Sequence, residues 1–192
     1  LQSLKRLIQN SFFYYLNLYR AIIPPMCFNK PLLDQLNLRY NQRSTLTRNE
    51  NTMLSIIIQA AENFCQHQLH LPFKQTVKAS KKRTFFAYID IDVQNSNRHR
   101  VYVGCDDVLI QTIVEIFLGE NNSDEQTIID MLLETTNMIV GSAKILAKES
   151  YDISFAILTP FFVSNTILIE SMEYVQHLDV KNGTMILALQ RL

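Results

Sequence analysis

Asp130, Glu134, Asn137 and Gly141 are separated by four, three and four residues within a stretch of helical periodicity. Residues three and four apart are neighbours on one face of an α-helix, so the four share a ridge. Ile129, Leu132, Leu133, Thr136, Ile139, Val140 and Ala143 then form the dry opposite side. Glu134 and Asn137 project side by side, about 5–6 Å apart at Cβ, and Gly141 leaves the surface beside them uncrowded for an approaching partner. A carboxylate offers an anionic docking point, and the carboxamide beside it both donates and accepts hydrogen bonds. The same spacing also describes a solvated face with a charged residue on each turn, so the pattern alone does not choose between them.

Other chemistries lack their parts. No Cys stands beside a His as a thiol nucleophile requires, no G-x-S-x-G occurs, and four glycines leave no phosphate-cradling loop. His67 and His70 share a helix face, but no carboxylate or Cys at matching spacing completes a metal site, so no metal is expected. Asp90 and Asp92 alternate with Ile89, Ile91 and Val93, the pattern of the exposed face of a half-buried strand rather than of a catalytic pair. Lys78, Lys81, Lys82 and Arg83 read as a solvated basic turn.

The elements that position the ridge follow from periodicity. Thr52 is a plausible N-cap for a helix carrying Leu54, Ile57, Ile58, Ala61, Phe64 and Cys65 on one stripe and stopped by Pro72. Residues 85–93 and 98–103 are β-rich runs around a polar corner at Gln94–Asn97 and read as a hairpin. Helical spacing returns from Asp106, with Val108, Leu109, Thr112, Ile113, Ile116 and Phe117 ended by Gly119. The ridge helix begins near Ser123, whose pairing with Gln126 matches a capping box, and runs to about Lys148. Strand candidates follow at 153–158, 161–169 and 185–189, with Lys181-Asn-Gly183 as a turn signal between the last two. The class is α/β or α+β.

The chain has 192 residues, 47% of them hydrophobic, enough for one domain of ordinary size. Its formal charge is zero, with no global basic field to make nucleic acid a partner. No uncharged apolar run is long enough to span a bilayer, so a soluble protein without stable membrane insertion is expected. Cys27, Cys65 and Cys105 form no C-x-x-C pair, which fits a reducing cytoplasm. Residues 1–50 hold seven Lys/Arg against two Asp/Glu, and residues 51–192 hold eleven against sixteen. Three prolines and a polar run at Asn41–Asn51 accompany that break, dividing a basic, partly helical extension and linker (1–50) from a domain (51–192). Within the extension, residues 3–22 read as an amphipathic helix.

The run Asp130-Met-Leu-Leu-Glu134-Thr-Thr-Asn137, with Pro160 after twenty-two further residues, resembles the signature of the CheC, CheX and FliY phosphatases of bacterial chemotaxis. Every fixed position agrees, and the general resemblance extends over residues 51–192. It implies a CheX-like single domain, a central, mostly antiparallel sheet packed by two long helices and a shorter one. The implied activity is hydrolysis of the aspartyl phosphate of a CheY-like response regulator. Glu134 is then the residue that docks the regulator's lysine, Asn137 orients the attacking water, and Asp130, Gly141 and Pro160 belong to the structural motif. No intrinsic cofactor is implied, since Mg²⁺ comes with the regulator. Relatives often carry the signature twice. Here the first helix offers only Ser55, Gln59 and Glu62, with Gln in place of Glu and Glu in place of Asn, so that copy reads as dead. A single site is the CheX pattern, which implies a possible homodimer. The rival expectation is a binding module that docks a regulator or flagellar switch component without hydrolysis.

Overall fold

A computed structural model describes residues 51–77, 83–94, 98–164 and 174–192. The expected helix at 3–22, the extension and linker, Lys78, Lys81, Lys82, Asn95–Asn97, the strand residues 165–169 and Cys27 lie outside them. The first described helix, α1, spans 51–63 and widens into a π turn at Phe64–Gln68. There follow β1 (Phe73–Thr76), β2 (Thr84–Val93), β3 (Arg98–Asp106), α2 (Asp107–Leu118), α3 (Glu125–Tyr151), β4 (Phe155–Ile157), β5 (Phe161–Ser164), β6 (Tyr174–Val180) and β7 (Gly183–Arg191). The strands form one sheet in the order β1-β6-β7-β3-β2-β4, with β5 also on β2, and every described pairing is antiparallel. This is the expected α+β architecture.

The three helices close one core against the sheet. Ile56, Ile57, Ala60 and Ala61 of α1, Leu109, Ile110 and Ile113 of α2, and Leu132, Ile139 and Val140 of α3 join Phe85, Ala87, Ile89 and Ile91 of β2. Period-2 alternation sends the β2 residues between them to the other face, where Asp90 and Asp92 are half-buried. Each is held by a fork from β3. Arg100 donates to Asp90 at 2.7 and 2.9 Å, and Arg98 to Asp92 at 2.6 and 3.2 Å. The pair is structural, as its alternation predicts.

Caps differ from the sequence reading in detail. Residue 51 is already helical, so Thr52 lies inside α1 rather than at its cap. The cap of α3 is Asp124, which accepts from the Thr127 N–H at 2.8 Å, and the helix runs on to Tyr151. Ser123 makes no capping box. Gln126 instead donates forward to Asp130 at 2.9 Å. An ionised carboxylate one residue further on is the better acceptor at the positive end of a helix. Gly119 caps α2 as expected, at φ 70°, and Asp106 caps its start by accepting from the Leu109 N–H.

Two strands escape the sequence reading. β1 is only four residues long, and the first four residues of β6 are all half-buried, without the alternation that marks a strand. The Lys181-Asn-Gly183 turn is present but joins β6 to β7. β4 and β5 are one line along β2 broken by an irregularity. Ile157 pairs with Ile91 and Phe161 with Tyr88, so Leu158, Thr159 and Pro160 stand against two residues of β2. Pro160, which has no N–H to give a ladder, occupies that bulge.

Candidate functional site

Helix α3 packs on β2, β3, β4 and β5. Its buried side is Ile128, Met131, Leu132, Thr135, Thr136, Ile139, Val140, Ala143 and Ala147. Ile129 and Leu133, expected on the dry face, are only half-buried, because the stripe is rotated slightly toward Ile128, Met131 and Thr135. The opposite face is the predicted ridge: Asp130, Glu134 and Asn137 are all exposed. Asp130 is tied down by Gln126 one turn back. Glu134 and Asn137 have no hydrogen bond or ion pair to any described residue, so their polar capacity faces outward.

Gly141 continues the ridge. A Cβ built there meets nothing within 4 Å, and its φ is not positive. Neither packing nor backbone conformation therefore requires a glycine, although one in mid-helix costs about 1 kcal/mol relative to alanine. Beyond it, Lys144 is exposed and Ile145 is 59% exposed, a continuation of the stripe that the sequence reading ended at Gly141. The four-residue spacing from Gly141 was the available signal. The far end is closed by Lys148, which donates to Asp152 at 2.6 Å, with Asp152 in the left-handed region at φ 52° as C-cap. This ammonium holds the Asp152 carboxyl below its ordinary range.

The corresponding face of α1 is different. Glu62, which stands where the second copy would need an amide, accepts from Gln75 of β1 at 2.9 Å and is spent within the fold. Among the described residues no group of His, Cys, Asp and Glu is arranged to hold a metal ion, and His67 and His70 are both exposed. Cys65 and Cys105 are buried, and burial pushes the Cys65 thiol up to about 12, which leaves it without nucleophilic character at neutral pH. Among the described residues the arrangement thus offers an outward carboxylate–carboxamide pair on α3 and no second such pair on α1. Among the described residues no helix is long and apolar enough to cross a membrane.

Residues 88–178, which contain the whole ridge and Pro160, match the family model for chemotaxis phosphatase CheX. Over that stretch the chain is similar to the CheX family. Solved structures share its fold. CheX of Vibrio vulnificus is 21% identical, with a TM-score of 0.57 over 72% of this chain and 96% of its own. CheX of Desulfovibrio desulfuricans is 16% identical, with a TM-score of 0.56 over 73% and 99%. A CheX–CheY–BeF3–Mg²⁺ complex from Borrelia burgdorferi contributes a chain 14% identical, with a TM-score of 0.53 over 71% and 96%. No curated relative matches the chain.

Proposed function

We propose that this CheX-like chain hydrolyses the aspartyl phosphate of a CheY-like response regulator, acting in trans through Glu134 and Asn137. The observation that carries the reading is the exposed pair, without a partner among the described residues, on a packed helix whose positions resemble the family signature. A CheX structure solved together with CheY, BeF3 and Mg²⁺ supports a CheY-like receiver as the partner. Glu134 pairs with the regulator's lysine, an ion pair that gains strength as the interface excludes water. Asn137 enters the receiver's pocket, accepts a hydrogen bond from the attacking water and holds it in line with phosphorus. The water's oxygen bonds to phosphorus as the bond to the aspartyl oxygen breaks, leaving the receiver's carboxylate and inorganic phosphate. Such a transition state is loose, so alignment and charge stabilisation are the catalysis and no strong base is needed. Mg²⁺ belongs to the receiver, and the chain brings no cofactor of its own. The site of action is the cytoplasm, where receivers are phosphorylated, and a homodimer is the expected assembly, to be read from sedimentation equilibrium.

The test mixes the protein with phosphorylated CheY and Mg²⁺ and follows release of phosphate. Asn137→Ala is expected to slow the stimulated release by about 100-fold, the scale of losing one positioning group. Release by that variant at the unsubstituted rate overturns its role. Binding without any stimulated release selects the non-enzymatic docking module instead.

A further inference from the structure

Among the described residues nothing fills the space beside Gly141, so the described fold itself gives no reason for the gap. Whatever approaches Asn137 closely enough to be served by it passes over that gap and meets the next turn of α3. Side chains on a helix lean toward its N-terminus, so Lys144 and Ile145 border the gap from the C-terminal side as Asn137 borders it from the other. Lys144 lies within about 20° of Asn137 around the axis and about 10 Å further along it. Ile145 lies within about 20° of Glu134 around the axis and about 16 Å further along it. An interface burying about 800 Å² per partner is roughly 30 Å across, so a receiver centred on Asn137 covers both.

Among the described residues neither is engaged. Lys144 has no ion pair or hydrogen bond to a described residue, whereas Lys148, one turn on, is engaged by Asp152. A single exposed isoleucine is ordinary on a protein surface, and Ile145 is informative only through its place beside the gap. At 59% exposure it contrasts with Ile128 at 5% and Ile139 at 0% on the same helix.

We infer that Lys144 and Ile145 form a second foothold for the receiver domain across the Gly141 gap, Lys144 by charge and Ile145 by apolar contact. This rests on the phosphatase reading above. The charge fits the partner: the pocket to which Asn137 is delivered carries a phosphoryl dianion and the carboxylates that hold its Mg²⁺, and an ammonium on its rim is complementary to that excess. The foothold determines affinity and partner choice, not the chemical step, and both residues are therefore specificity determinants.

The test uses the full chain and a CheY-type receiver loaded either with beryllofluoride and Mg²⁺, for binding, or with phosphate, for turnover. Lys144→Glu and Ile145→Ser are each expected to raise Kd and KM about tenfold with kcat kept, the signature of lost uniform binding. Lys144→Glu also reverses the salt dependence of the association rate. Lys74→Glu, on the opposite edge strand β1, controls for net charge and leaves both constants unchanged. Wild-type Kd and KM in both variants, with Asn137→Ala inactive, overturn the foothold alone. Unimpaired phosphate release by Asn137→Ala overturns the catalytic reading beneath it.

Discussion

At the residue scale the site is economical, and its members have separable effects. Asn137 acts on the chemical step, so its loss appears in kcat. Glu134 acts in docking, so Glu134→Gln keeps the shape, removes the charge and is expected to raise KM severalfold with a smaller change in kcat, measured by phosphate release under varied receiver concentration. Gly141 gives the sharpest contrast between stability and function. Its Cβ position is open and its backbone ordinary, so Gly141→Ala is expected to stabilise the protein by about 0.5–1 kcal/mol, seen as a higher denaturant midpoint. The same methyl group intrudes on the space left for the receiver, so phosphate release at low receiver concentration falls. These residues were legible in the sequence because a spacing of four, three and four fixes a shared face whatever lies beneath it. Their freedom from internal partners was not, since Asp130 and Glu62 have equally polar side chains and are engaged by Gln126 and Gln75.

At the element scale, α3 delivers the pair only while its first turn is intact, and that turn depends on Asp124. The N–H groups at Thr127 and Gln126 hold the Asp124 carboxyl below its ordinary value. A carboxyl lowered on folding stabilises the native state above its unfolded pKa, and that contribution is lost as pH falls through the folded value. The N-terminal turn of α3 is therefore expected to fray only as pH falls below the ordinary carboxyl range. Asp124→Asn keeps the cap and removes this dependence, so amide exchange at Thr127 and Ile128 becomes flat with pH after correction for intrinsic exchange rates. A second close fit lies where β7 passes the start of α2. A Cβ on Gly183 would stand 2.8 Å from the Leu109 nitrogen and 2.7 Å from Asp106 Oδ1, so Gly183→Ala is expected to cost about 1–3 kcal/mol in chemical denaturation. Sequence periodicity found the described helices because each has one wet and one dry side, and the central hairpin showed through its β-rich runs around a polar corner. It missed β6, whose Tyr174, Val175, Gln176 and His177 are all half-buried, and it placed the α3 cap one residue early because Ser123 and Asp124 both have capping chemistry.

At the scale of the whole molecule, the core among the described residues draws on α1, α2, α3 and the sheet. The Vibrio and Desulfovibrio CheX structures are matched over 96% and 99% of their own length by about three quarters of this chain. The fold they share thus needs no counterpart of a long extension. The charge also changes near residue 50, with seven basic against two acidic residues before it and eleven against sixteen after it. A protein truncated to residues 51–192 is expected to unfold in one cooperative transition and to release phosphate from the receiver with unchanged kcat, because Asn137, Glu134 and the elements beneath them are all retained. Removing five net positive charges also leaves a domain of net charge −5, so association with an acidic receiver surface slows at low salt while the chemical step does not change. Stopped-flow association rates at two ionic strengths, set beside single-turnover release, separate those effects. A truncated protein that folds but no longer releases phosphate at saturating receiver would assign part of the catalytic surface to residues 1–50 and move the domain boundary into the extension.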